Sequence, residues 1–324
     1  MTVEVHEITS HAEWLQLRRQ DVTASVVGAL LGVHEYQTRY GLFALKHGDV
    51  EEDIETTGPM MRGLLLEPVA LKLMQIERPD WKIEWNGTPG IIGGNYYRDP
   101  ERRLGATPDC FAIDPKRGRG VIQVKTTIAP TFRKSWFQHD EFYDSASTPV
   151  AAPPLWVATQ AILEGHLTGV EWAAAAVLVV GYGLDIHLFE VPIHTGVINR
   201  IREATGEFWD RIARNDPYPP DYARDGETIA ALYGQENGRE IDLRGDNLLP
   251  ELLTEREGLM ASRKAANDRL DAIKAELQHK LGENVAGYLP GWEITNKTTH
   301  RKAFSVAATS YRVIRVKKLE LGHG

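Results

Sequence analysis

Cysteine is nearly absent from this sequence: Cys110 is the single one in 324 residues. That excludes an internal disulfide, a zinc ribbon and a four-cysteine iron–sulfur set, and it makes a reducing cytoplasm the expected compartment. Cys110 itself reads as a small core residue. The 11 histidines form no HxH or HExxH spacing, so zinc is not expected. Long apolar runs are missing too. The longest, Trp172 to Gly181, is about half of the roughly 20 residues that a membrane helix needs and reads as a buried strand, so no membrane partner is expected. Met1 to His11 lacks the basic-then-apolar order of a signal peptide. Positive charge is in deficit, with 37 Lys+Arg against 45 Asp+Glu, a net charge of -8. A protein that coats nucleic acid by bulk electrostatics is thereby disfavoured, whereas a local basic groove is not.

What is present is ordinary for a folded chain: 42% hydrophobic and 25% charged residues, with no repeat or low-complexity tract. Helical spacing predicts a short helix over 11–19, a second start near Ser25 with Val26, Val27, Leu30 and Leu31 in register until Gly32, and a helix over 38–46. A longer one over 59–77 has Leu64, Ala70, Leu71 and Met74 on its apolar side and a kink or start expected at Pro68. From Trp81 to Thr126 the period changes to two, and Ile83 with Trp85, Ile91 with Ile92, Phe111 with Ile113, and 121–126 read as strands. A helix over 154–165 follows, then a hairpin of strands 172–180 and 186–191 turning at Gly181-Tyr182-Gly183. Last comes an amphipathic helix over 197–214 with Ile201, Phe208, Trp209 and Ile212 inward. This order fits an α/β sandwich around a mixed sheet flanked by helices.

Beyond it, 221–250 reads as a polar connector with one short helix. The segment 251–318 reads as an accessory region: a long helix whose stripe of Leu252, Leu259, Ala266, Leu270, Ile273 and Leu277 is interrupted by Arg256 and Arg263, so packing on the main domain (1–220) is expected over a long coiled coil. Two strands, 292–297 and 311–316, are expected to close a small β unit.

The chemistry concentrates in Ala106-Thr107-Pro108-Asp109, a turn, and Ile122-Gln123-Val124-Lys125. Strand residues two apart share a face, so Gln123 and Lys125 are presented together beside Asp109, with Ile122 and Val124 turned to the core. Hydrolysis of a phosphodiester needs a divalent cation on oxygen ligands and a lysine to orient or deprotonate water. Asp109, the Gln123 amide oxygen, the Val124 carbonyl and Lys125 supply that set, and Glu67, after Gly63, can complete it. Taken one at a time, Asp109 reads as a turn acceptor, Lys125 as a solvated charge and Glu67 as a surface helix residue.

Together these strings resemble the PD-(D/E)XK nucleases, and within them the phage-type exonuclease family of lambda exonuclease and the YqaJ recombinases. The resemblance covers most of residues 12–215: Trp14 with Arg18, Thr23-Ala24-Ser25, Gly63-Leu64-Leu65-Leu66-Glu67, Gly105-Ala106-Thr107-Pro108-Asp109, Gln123-Val124-Lys125, and Gln160 in its helix. It implies a restriction-endonuclease-like fold and a DNA exonuclease that resects duplex ends, 5′ to 3′, for an annealing partner that binds single strands. It also implies Mg²⁺, with Mn²⁺ as a substitute, held by Glu67, Asp109, Gln123 and Val124. Lys125 and Gln160 join the catalytic set, and Arg18 and Ser25 receive the terminal 5′ phosphate. A homo-oligomer, a ring trimer in that family, and a bacterial or phage-infected cytoplasm are further implications. The departure is Gln123, where the family usually has Glu or Asp; an amide brings no charge to the metal.

Two further stretches bear on DNA. Residues 131–137 interleave Arg133 and Lys134 with Phe132, Trp136 and Phe137, which suits backbone contact and base stacking by Trp136, or equally a segment anchored by its aromatics. Lys297, Arg301, Lys302, Arg312, Arg315, Lys317 and Lys318 form an acid-free basic stretch that suits a duplex, a partner or a solvated β face. A catalytically weak end-binding recombination protein and an endonuclease of the same fold remain the alternatives at this stage.

Overall fold

The computed structural model describes residues 2–51, 58–87, 94–138, 150–300 and 311–316. Its contacts divide the chain into two units, residues 1–232 and 233–324.

In the first unit, β1 (Glu4–Glu7) is followed by α1 (His11–Gln20), which begins where the Ser10 hydroxyl accepts from the Glu13 N–H at 3.2 Å. Next come β2 (Val22–Thr23), the single turn α2 (Val27–Leu30) and α3 (Arg39–His47). Thr38 caps α3 through the Gly41 N–H, and Gly48, at φ 92, ends it in the left-handed conformation that glycine adopts without strain. α4 (Gly58–Glu77) runs through Pro68, and β3 (Lys82–Trp85), β4 (Asn95–Asp99), β5 (Leu104–Ala106), β6 (Cys110–Asp114) and β7 (Gly118–Ile128) follow. α5 (Ala129–Ser135), the short pair β8 (Phe137–Gln138) and β9 (Val150–Ala151), and α6 (Leu155–Thr168) lead to the hairpin β10 (Trp172–Val180) and β11 (Leu184–Val191). α7 (Thr195–Arg214) and α8 (Gly226–Leu232) close the unit.

The main sheet has the order β11-β10-β7-β6-β3, with β10 and β7 parallel and the other pairs antiparallel. Both faces of its centre are covered, which is why Trp172–Val180 reads as one apolar run rather than an alternating one. On one side Val121, Ala173, Ala175 and Val177 pack with Val157, Ala161, Leu163, Ile201 and Phe208. On the other, Ile122, Val124, Ala174 and Ala176 pack with Ala70, Leu71 and Met74. Burying each larger side chain of this kind stabilises by about 1.5–3 kcal/mol. The alternation along β7 therefore puts Gln123 and Lys125 on the α6 side, with Ile122 and Val124 on the α4 side.

A second sheet, β1-β4-β5-β2, was not anticipated from sequence. It holds the segment before Ser25 in place: the Arg98 guanidinium donates from Nε to both Asp21 oxygens at 3.0 and 2.9 Å, and the Tyr96 hydroxyl donates to Asp21 at 3.1 Å. Gly105 is required here. A Cβ at this position would lie 1.8 Å from the Tyr96 hydroxyl oxygen.

Several expectations need correction. Leu64 is 41% exposed, and the buried side chains of α4 begin at Ala70, with Leu66 and Val69 partly buried against the same cluster. Ser25 caps no helix, because α2 starts at Val27 after an uncapped Val26. At the start of the polar stretch read as a connector, Arg224 donates to the His34 and Glu35 carbonyls and Asp225 accepts from Thr38. The strand expected over 91–92 lies outside the described residues.

The second unit contains α9 (Leu249–Leu281) and the hairpin β12 (Ala286–Leu289) and β13 (Trp292–Thr295). The small β unit thus pairs 292–295 with 286–289, and 311–316 carry no strand. On α9, Leu252, Leu259, Leu270 and Ile273 of the apolar stripe are exposed. In the basic stretch, Arg312 donates to the Tyr233 carbonyl at 2.9 Å, whereas Arg301, Lys302, Lys317 and Lys318 lie outside the described residues.

Candidate active site

Asp109 is set by the register of β6 on β7, where Cys110 pairs with Ile122, so the residue before β6 meets Gln123 and Val124. The turn is pinned from outside: the Asn86 side chain donates to the Pro108 carbonyl at 3.0 Å, and the Asn86 N–H donates to the Asp109 carbonyl at 3.1 Å. The Val124 N–H donates to Asp109 Oδ2 at 2.7 Å.

From this aspartate a single chain of hydrogen bonds runs across the face of β7 to α6. The Gln123 amide nitrogen donates to Asp109 Oδ2 and, at 3.2 Å, to the Val124 carbonyl. Gln123 Oε1 accepts from the Gln160 amide nitrogen at 2.7 Å, and Gln160 Oε1 accepts from Lys125 Nζ at 3.0 Å. The other hydrogen of the Gln160 amide goes to Glu164 Oε1 at 2.9 Å. Lysine can only donate, which turns the Gln160 oxygen toward Lys125 and its amide nitrogen toward the Gln123 oxygen, leaving the Gln123 amide nitrogen to donate to Asp109. Lys125 also lies 5.1 Å over the ring of Trp156.

Glu67 approaches from α4. Burial is the main reason its carboxyl is pushed up to about 7, and the Asp109 charge adds to it while Lys125 opposes it. Asp109 is raised to about 6 by burial, against the pull of Lys125 and the Val124 N–H. Burial thus outweighs the one nearby lysine at both carboxyls, and a cation placed between them would favour their ionised forms. Yet no three acidic, histidine or cysteine side chains converge to hold a metal among the described residues. Gln123 accounts for the shortfall. Its amide nitrogen occupies the space between Asp109 Oδ2 and the Val124 carbonyl, and its oxygen is turned to Gln160, so in this arrangement it does not offer the oxygen ligand expected of it.

Arg18 and Ser25 do come together. The guanidinium nitrogens lie 3.4 and 3.5 Å from Ser25 Oγ, which is 3.0 Å from Thr23 Oγ1, and the Arg18 guanidinium stacks 4.4 Å over Trp14. His34 joins this corner to the lysine. Its Nε2 donates to the Ser25 carbonyl at 2.9 Å, because Nδ1 accepts from the Tyr36 and Gln37 N–H groups, and its ring lies 5.2 Å from Trp156. Burial, with Lys125 nearby, keeps His34 below the usual histidine range and hence neutral.

α5 divides as its two-sided composition allows. Arg133 and Lys134 are exposed, but Trp136 is 4% exposed and packs against Phe132 and Phe189, so it cannot stack on a base. Sequence reasoning also missed four residues at this site: His34, Tyr36, Trp156 and Glu164. Tyr36 is 73% exposed at the rim, edge-on to Trp156. For Glu164 a clue existed, since it falls one helical turn after Gln160 on an otherwise apolar helix.

A family model and several solved structures show similarity to the chain. No curated protein matches the chain. Solved structures similar to it include an alkaline exonuclease from Laribacter hongkongensis, with 18% identity and a TM-score of 0.42 over 67% of this chain and 98% of that one. Others are a phage-related exonuclease from Haemophilus somnus, with 14% identity and a TM-score of 0.37 over 60% and 96%, and a putative exonuclease from Eubacterium rectale, with 10% identity and a TM-score of 0.39 over 74% and 97%. The family model of the YqaJ-like viral recombinase domain matches residues 13–157, a span that holds Arg18, Ser25, Glu67, Asp109, Gln123 and Lys125.

Proposed function

We propose that this protein is a divalent-metal-dependent deoxyribonuclease that shortens duplex DNA from its ends. The observation that carries the reading is the hydrogen-bonded chain from Lys125 through Gln160 and Gln123 to Asp109, with Glu67 beside it; all but Gln160 fall in the span that matches the recombinase family model. Asp109, Glu67 and the Val124 carbonyl are oxygen donors of the kind that hold Mg²⁺ or Mn²⁺, and the raised pKa values of both carboxyls fit a cation there. Gln123 adds its amide oxygen only by turning over, at the expense of its bond to Gln160. When bound, such an ion neutralises the scissile phosphate and lowers the pKa of the attacking water.

The chain's own residues do the rest. Lys125 is the proton-handling group at the attacking water, held at its ammonium by Gln160. Arg18 and Ser25 form the receptor for a terminal 5′ phosphate, which gives 5′ to 3′ polarity. Arg133 and Lys134 meet the duplex backbone from α5. The single strand left behind is the substrate class of an annealing protein, and a ring of copies would keep the enzyme on its duplex. One observation favours a second reading, a catalytically weak end-binding protein: the uncharged Gln123 beside Asp109. Duplexes labelled at either end, with and without a 5′ phosphate, incubated with Mg²⁺, separate the two; label release from the 5′-phosphorylated end is expected, and binding without release supports the second.

A further inference from the structure

Tyr36 is held more firmly than its exposure suggests. Its N–H and that of Gln37 donate to His34 Nδ1 at 3.1 and 3.0 Å, and Arg224 donates to the carbonyls of His34 at 2.7 Å, Glu35 at 3.0 Å and Gln37 at 3.5 Å. The loop that carries the ring is thus tied on both sides. The ring meets Trp156 at 5.9 Å and His34 at 6.3 Å, at 78° and 75° to their planes. Neither neighbour lies flat against it, and 73% of the residue stays exposed. Burial of apolar area does not explain a flat side chain fixed in this way and left open to solvent.

Its place is as informative. Trp156, against which Tyr36 stands, also has Lys125 Nζ 5.1 Å from its ring, and His34 reaches the Ser25 carbonyl at 2.9 Å. The tyrosine therefore rises from the aromatic bridge that links the lysine to the Arg18–Ser25 corner. A nucleotide with one phosphate at each of these groups carries its base beside that bridge, where Tyr36 offers a stacking face and no cation. The Glu35 carboxylate is hydrogen-bonded to the Tyr36 hydroxyl. An acid at this point repels a phosphate and tolerates a neutral base. We propose that Tyr36 is the stacking platform for the 5′-terminal nucleobase, unpaired from its partner as the phosphates of that nucleotide enter the site. Every base has a π face, so such a contact holds an end without reading its sequence. Because the loop is already tied in place, little ordering is needed when the base arrives.

This rests on the nuclease reading above, and binding in EDTA keeps the two apart, since it needs no cleavage. The full chain, Tyr36→Ala, Tyr36→Leu and Tyr36→Phe are titrated with two duplexes, one carrying 2-aminopurine as its 5′-terminal base and one whose 5′-terminal nucleotide has no base. Melting temperatures are measured in parallel. 2-Aminopurine is dark when stacked and bright when free. The unmutated protein and Tyr36→Phe are expected to form dark complexes. Tyr36→Ala and Tyr36→Leu are expected to form bright ones and to bind about 5- to 100-fold more weakly, the usual loss for one base stack, at unchanged melting temperature. On the abasic duplex all four proteins should bind as weakly as Tyr36→Ala binds the first. Equal affinity and equal fluorescence across the four proteins would overturn the proposal. So would a Tyr36→Leu that matches Tyr36→Phe, which would make the ring a packing surface for Trp156, or an unmutated protein that binds the abasic duplex as tightly as the other. Dark complexes of the unmutated protein without any Mg²⁺-dependent cleavage would remove the nuclease reading and leave the stacking contact as that of an end-binding protein.

Discussion

Lys125 and Asp109 are joined through two amides: the lysine donates to Gln160, Gln160 to Gln123, and Gln123 to Asp109. Every donor in this chain points from the cation toward the anion, so a change at any link is felt at both ends. It also means that the lysine is held by an amide rather than by a carboxylate, which leaves its charge available to a phosphate.

The first expectation concerns the cation. Linear duplex should be degraded with Mg²⁺ or Mn²⁺ and be stable in EDTA, since the donors at Asp109, Glu67 and Val124 are all oxygens. Mn²⁺, which accepts a less regular shell, should be at least as effective as Mg²⁺. Activity that survives excess chelator excludes the mechanism.

Removing the lysine should separate binding from chemistry. Lys125→Ala is expected to retain the fold and duplex affinity while cleavage falls by roughly 10²-fold or more, the usual cost of losing a positioned proton-transfer group. Gel-shift and single-turnover measurements on the same preparation check this; near-normal turnover removes Lys125 from the chemistry.

Gln123→Glu tests the uncharged link directly. In EDTA it places a second carboxylate against Asp109 in place of an amide donor, so the melting temperature should fall. With Mg²⁺ the same variant should bind more tightly, and its titration midpoint should move to lower concentration. A midpoint that does not move places residue 123 outside the reach of the ion.

The pH dependence of the metal-free protein has a definite sign. Folding raises Asp109 from 3.8 to about 6 and Glu67 from 4.5 to about 7. Between those limits the native state binds more protons than the unfolded chain, so stability falls as pH rises through the window and levels off above it. Melting in EDTA should therefore be lower at pH 8 than at pH 5 on account of this pair. Saturating Mg²⁺, which favours the ionised forms, should flatten or reverse the trend. A metal-free melting temperature that climbs across the same window contradicts the raised values.

How much of this was legible in the sequence depends on whether a residue's partner is near in the chain. The apolar run of β10 and the inward face of α7 at Ile201 and Phe208 declared themselves, because their burial follows from local periodicity. The β1-β4-β5-β2 sheet did not. Its strands are only two to five residues long, too short to show a period, and partners such as Glu4 and Arg98 lie far apart in the chain. Trp136 was open to misreading beside Arg133 and Lys134, although Phe132 and Trp136 lie four apart on one face. Glu164 was missed because a helical glutamate normally means solvent; only the second layer of packing, β10 under α6, shows otherwise.

The last expectation joins the Arg18 corner to polarity. A 5′ phosphate carries nearly two negative charges, and an arginine fork with a serine hydroxyl is a suitable receptor, here with the guanidinium already 3.4 Å from Ser25 Oγ. Since Ser25 caps no helix, its removal should cost little stability, which makes the test cleaner than an N-cap would allow. Arg18→Ala should slow digestion of 5′-phosphorylated duplex toward the rate on 5′-hydroxyl duplex, and Ser25→Ala should do so more weakly. Because Arg18 also stacks on Trp14, whose indole donates to Thr107 two residues before Asp109, Arg18→Lys separates charge from geometry. Lysine keeps the charge but loses the fork and the stacking plane, so end preference should fall part of the way. Equal rates on both kinds of end in the unmutated protein would defeat the phosphate role before any variant was made.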